Sequence, residues 1–94
     1  ESDIRIKNYA QSLWQSAQKN QKVREGDKVY TGNRSFATIR LVNDSKIELK
    51  ENSLVEFRKL NNENIADLAE GEYRLAVIRG LKVAIRGQMA HIEG

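Results

Sequence analysis

Apolar and polar residues alternate one by one in this chain, and the alternation restarts many times. It runs through Ile4-Arg5-Ile6-Lys7, Lys46-Ile47-Glu48-Leu49-Lys50 and Val55-Glu56-Phe57-Arg58. It returns from Glu72 to Ile78 and from Leu81 to Arg86. Between Phe36 and Val42, the set Ala37, Ile39, Leu41 falls on one side and Phe36, Thr38, Arg40, Val42 on the other. Successive side chains of a strand point to opposite faces, whereas a helix repeats every ~3.6 residues. Each of these runs is therefore expected to be a short, half-buried strand.

The breaks between runs are turns. Gly26-Asp27 and Gly32-Asn33 flank Lys28 to Thr31, and Asn43-Asp44-Ser45 sits where a tight hairpin belongs. Glu51-Asn52-Ser53 makes the next break, Asn61 to Asn64 is the most polar loop, and Gly71, Gly80 and Gly87 punctuate the last third. The chain has no Pro, so Gly, Asn, Asp and Ser must make every turn. Strands recurring every ~8–12 residues between such signals predict an all-β sandwich, barrel or solenoid. The alternation leaves one stretch open, Asn8 to Lys22, where Leu13, Ala17 and the spacing of Gln suit a short helix as well as strand and loop.

With 94 residues the chain makes one small domain. Its longest uncharged run, Asn8 to Gln18, falls short of the roughly 20 apolar residues a spanning helix needs. Opening on Glu1 with no apolar signal core, the sequence reads as a segment of a larger protein. Having no Cys, it can form neither disulfides nor thiolate metal sites. The net charge of +3 is spread over interspersed signs, as on an ordinary solvated surface. Two local excesses stand out: Arg74, Arg79, Lys82 and Arg86 in a stretch without acids, and the shorter run Lys19, Lys22, Arg24. Either could face an anionic partner, although a solvated face is the first reading of both.

Residues that could carry chemistry are sparse. His91 is the only histidine, with Glu93 its nearest carboxylate; without a second His or a Cys it reads as a strand residue near a domain edge. Glu25/Asp27, Glu48/Glu56 and Glu70/Glu72 are pairs on paper, but so small a domain rarely builds the cleft that paired carboxylates need. Gly26-Asp27 and Thr31-Gly32 open no helix and match no phosphate-binding loop, so Asp27 and Thr31 are expected to cap main-chain groups at strand ends. The six aromatics (Tyr9, Trp14, Tyr30, Phe36, Phe57, Tyr73) are read first as core or rim packing; Tyr30, beside Lys28 and near Arg34, and Trp14 are the best candidates for an exposed recognition role.

The ordered series from Gln18 to Phe57 resembles the FecR-like domain, named for the periplasmic iron-dicitrate sensor regulators. The residues that carry it are Val23-Arg24-Glu25-Gly26-Asp27-Lys28-Val29-Tyr30-Thr31-Gly32, then Ser35 to Leu41, Asn43 to Leu49, and Glu51-Asn52-Ser53 followed by Leu54 to Phe57. Leu68-Ala69-Glu70-Gly71-Glu72-Tyr73-Arg74-Leu75 looks like the family's second signature, and Leu81 to Ile85 with Ala90 to Gly94 like its closing strand pair. Trp14-Gln15-Ser16-Ala17 sits where members often carry Trp and a small residue. One position departs: the usual Asp-Gly-Ser turn reads Asn43-Asp44-Ser45, whose Asn and Asp still tolerate left-handed angles. The anti-sigma segment, transmembrane helix and signalling domain of the best-known members are not in these residues, so transcriptional signalling is not implied.

The resemblance implies that residues 1–94 are a single all-β domain of about eight or nine short, mostly antiparallel strands in two facing sheets, as a sandwich or a short solenoid-like stack. It also implies a non-enzymatic module of the periplasm or cell envelope that binds a protein partner in signal relay or assembly. A glycan- or peptidoglycan-binding module, using Trp14, Tyr30 and the Asn61 to Asn64 loop, is the alternative; nucleic acid is a distant third. The candidate partner-binding residues are Trp14, Tyr30, Arg74, Arg79, Lys82 and Arg86, and no catalytic residue, metal or cofactor is expected. The expected core is Val23, Val29, Ala37, Ile39, Leu41, Ile47, Leu49, Val55, Phe57, Leu68, Leu75, Val77, Val83 and Ile85. Ser53 to Leu60 and Leu81 to Arg86 are the expected edge strands for partner addition, with Lys46 and Arg58 as charged edge guards.

Overall fold

A computed structural model describes residues 2–41, 45–77 and 80–89. These form β1 (Ile4–Lys7), β2 (Gln15–Ser16), β3 (Lys28–Thr31), β4 (Ala37–Arg40), β5 (Lys46–Leu49), β6 (Leu54–Leu60), β7 (Glu63–Glu70), β8 (Tyr73–Val77), β9 (Leu81–Ile85) and β10 (Gln88–Met89). The protein is all-β, with no helix among the described residues. One sheet has the order β10-β9-β7-β6-β3-β1-β2, and a smaller one the order β4-β5-β8. Every pairing is antiparallel except β7 with β9, which run parallel. Parallel neighbours need a crossover, and here β8 supplies it from the other sheet, so β7, β8 and β9 make one solenoid-like coil.

Alternation places the core. Val29, Ile39, Ile47, Leu49, Val55, Phe57, Leu68 and Val83 are buried as expected, joined by Ile6 and Ala66, while Val23, Ala37, Leu41 and Leu75 pack half-buried against them. Ile85 departs from expectation. Its register sets it beside Leu68, yet it stays 42% exposed, because a sheet of three strands cannot cover one of seven. The side chain of Val77 lies outside the described residues. Between Asn8 and Lys22 no helix forms; Gln15 and Ser16 pair with β1, and Leu13 points to solvent.

The expected edges are corrected. Ser53 to Leu60 contains β6, which lies between β7 and β3, and Leu81 to Arg86 contains β9, which lies between β7 and β10. Lys46 is on the central strand of the small sheet and Arg58 on β6, so neither guards an edge. The outermost strands are β4 and β8 in the small sheet, and β2 and β10 in the large one.

Buried polar side chains tie the two sheets together. The Thr31 hydroxyl, fully buried at the end of β3, donates to Lys50 O (2.6 Å) and accepts from Ser53 N–H (2.9 Å). Ser53 Oγ accepts from Glu72 N–H at 3.0 Å, just where the chain passes from β7 to β8. Ser35 Oγ accepts from Asp3 N–H at 2.7 Å. Asp27 accepts from Arg24 N–H through Oδ2 (2.8 Å) and from Tyr9 N–H through Oδ1 (3.3 Å). Asp27 and Thr31 thus satisfy main-chain groups at the two ends of β3, which unpaired and buried would each cost about 1–3 kcal/mol.

Candidate functional site

Where the end of β4 meets β6, β7, β9 and the segment leading into β3, a cleft of about 530 Å³ opens. Val23, Leu41, Phe57, Ile65 and Leu81 make its apolar lining. Lys22, Arg24, Arg40 and Arg58 bring four cations to it, against the single acid Glu25. The Lys22 to Glu25 wall is pinned to β6: Gly26 N–H donates to Phe57 O (2.7 Å), and Phe57 N–H donates to Asp27 O (2.9 Å). Gly26 is required there. Its φ is +88°, and a Cβ would come within 2.7 Å of the Tyr9 Cβ.

The four cations differ in how they are compensated. Arg58 Nη2 donates to Asp67 Oδ2 at 2.9 Å, and the Asp67 side chain is only 11% exposed. Asp67 Oδ1 also accepts from Gly87 N–H at 3.1 Å, which joins β6, β7 and the β9–β10 turn in one network. Lys22, Arg24 and Arg40 make no ion pair among the described residues. An apolar lining with three uncompensated cations can hold an amphipathic anion, since the lining gains by losing water and the rim gains by meeting charge.

The sequence candidates divide into two groups. Trp14 and Tyr30 come together: their rings meet edge to face, with centroids 6.2 Å apart at 64°. Tyr30 lies opposite Arg5 on β1, and Trp14 directly precedes β2, whose Gln15 and Ser16 pair with the other side of β1. Trp14 is 39% exposed, and its chain neighbour Leu13 is more so. The cations of the last third do not converge. Arg74 lies on β8 opposite Glu48, whereas Lys82 lies on β9 in the other sheet, ion-paired with Glu63. Arg86 stands exposed in the β9–β10 turn with φ of 49°. Arg79 lies outside the described residues. Of the cations that do converge, Lys22 and Arg24 belong to the short basic run visible in sequence. Arg40 and Arg58 give no such signal, because they reach the cleft from strands far apart in the chain.

The carboxylates paired in the sequence reading fall in different surroundings. Both oxygens of Asp27 are bound to main-chain N–H groups, and Glu48 and Glu56 sit in different sheets. His91 and Glu93 lie outside the described residues. Burial, and secondarily the charge of Asp67, raises the Tyr73 hydroxyl above its usual pKa of 10.0. That hydroxyl donates to Ala84 O at 3.2 Å.

Compared with protein-family models, with curated proteins and with solved structures, the chain matches none.

Proposed function

We propose that this chain is a non-enzymatic interaction domain of the periplasm or cell envelope, of FecR type, that binds a protein partner in signal relay or assembly. One observation carries the reading. The residues on which the resemblance rests, Gly26-Asp27, Thr31, Ser53 and Glu72, are committed to main-chain hydrogen bonds that hold strands and sheets in place. They build a scaffold and leave its surface free to bind. The envelope location rests on the resemblance alone.

The test is capture. The immobilised domain is exposed to envelope extract, wall fragments included, at about 150 mM salt, where exposed charges more than ~8 Å apart are largely screened. One dominant protein, identified by mass spectrometry, supports the reading. Wall sugars without protein would replace it with a glycan-binding module. The Trp14–Tyr30 contact favours that second reading, because two adjoining aromatic side chains offer apolar faces on which sugar rings stack. Trp14→Ala would then abolish retention on purified wall.

A further inference from the structure

The open edge of β4 adjoins the basic cleft, for Arg40 ends the strand and, with Leu41, lines the cleft. Residues of antiparallel strands alternate between pairs that exchange hydrogen bonds and pairs that do not. Leu41 N–H donates to Ser45 O (2.8 Å) across the β4–β5 hairpin, and Lys50 N–H donates to Glu72 O (3.0 Å) on the other side of β5. With the register Ile39↔Ile47 and Glu48↔Arg74, these bonds fix the phase of both ladders. The main-chain groups of Ala37 and Ile39 turn towards β5. Those of Thr38 and Arg40 turn away from it, to the side of the sheet where no strand follows. Neither makes another hydrogen bond among the described residues. The strand carries no Pro, and Arg40 is its only charge, so little guards this edge beyond its shortness.

We propose that β4 and the cleft form one docking site for an extended, acidic segment of a partner protein, which adds as a strand beside β4 and seats an apolar side chain in the cleft. The proposal rests on the protein-binding reading above. Added strands place alternate side chains on alternate faces. One row continues the inward row of Ala37 and Ile39 towards Leu41 and Phe57, and the other runs beside Arg40. Lys22, Arg24 and Arg40 supply positive charge that no ion pair among the described residues engages, with Glu25 the one acid of the lining. The outward N–H and C=O groups of Thr38 and Arg40 select a polypeptide over a lipid or a sugar, because only a backbone offers donors and acceptors at the strand repeat.

Fluorescence anisotropy tests this with the whole domain and a labelled peptide of alternating Glu and Leu, against the same peptide with Lys for Glu. The acidic peptide binds and the basic one does not. Thr38→Pro and the double variant Arg24→Glu/Arg40→Glu each weaken binding by at least about tenfold, whereas Lys7→Glu, on β1, leaves it unchanged. If Thr38→Pro fails to fold by circular dichroism, the charge-reversed variant carries the test. Equal binding of both peptides, wild-type binding by the variants, or no binding of the acidic peptide overturns the site. Retention on anionic phospholipid vesicles without peptide binding would assign the cleft to lipid and also overturn it. Capture from envelope extract separates the two readings. A dominant protein still held by both variants leaves the protein-binding reading intact and removes only this site; no protein captured by any form removes the reading itself.

Discussion

Asp27 shows how much one short side chain can organise. It is buried, and its two oxygens accept from N–H groups of two different segments, at Tyr9 and Arg24. Asp27→Ala should cost about 2–3 kcal/mol, read as a lower urea midpoint at unchanged slope, because two main-chain N–H groups lose their acceptor. Tyr73 gives a pH signature. Its raised pKa means that above pH 10.0 the unfolded chain loses a proton that the folded chain keeps, so stability falls as pH rises from there through the folded value. Tyr73→Phe should remove that decline while costing about 1 kcal/mol at neutral pH through the lost bond to Ala84. An alkaline decline of the same steepness in the Phe variant would assign it to another group. The capping role of Asp27 could be read from a Gly-Asp step before an alternating run. The environment of Tyr73 could not, since it depends on Ala84 and Asp67, brought beside it only by the crossover from β7 to β9.

The strands that announce themselves in the sequence are those with one wet face. β4, β5, β6, β8 and β9 are found where apolar and polar residues alternate. β7 escaped that reading because Ile65-Ala66-Asp67-Leu68 is buried throughout, and a strand covered on both faces loses its alternation. β7 is also the strand that stands between β6 and β9, so neither of these expected edges is one. The phase of the β4–β5 ladder gives a sharp contrast between neighbours. Thr38→Pro removes an N–H that points away from β5 and should cost less than about 1 kcal/mol. Ile39→Pro removes a ladder bond beneath the core and should cost at least about 3 kcal/mol, enough to threaten folding. Thermal midpoints of the two variants settle whether the register is as described. At the passage between sheets, Gly71→Ala should also be severe: φ is +82°, and a Cβ would stand 2.6 Å from Ser53 Cα, a contact that no side-chain motion relieves.

The sheets are joined by more than their shared core, since Thr31, Ser53 and Glu72 link β3, the approach to β6 and the start of β8. The molecule should therefore open as one unit. Native-state hydrogen exchange at Ile47 in the small sheet and Phe57 in the large one should report a single free energy of opening; two distinct values would mean that the sheets part independently. The all-β class and most of the core could be foreseen because both follow from local pattern. The cleft could not, because its cations come from the segment before β3 and from β4 and β6, and nothing in their spacing shows that these converge.

The parallel step from β7 to β9 has a further consequence. A hairpin ends its own growth by folding back, but a coil that goes out to one sheet and returns to the next position in the other can be repeated. β9 meets β10 only at Ala84 and Ile85, so the rest of its outer side faces no strand among the described residues. Duplicating the β8–β9 unit would add one rung to the stack only by displacing β10 from Ala84 and Ile85, so that two-residue strand is what ends the coil at this side.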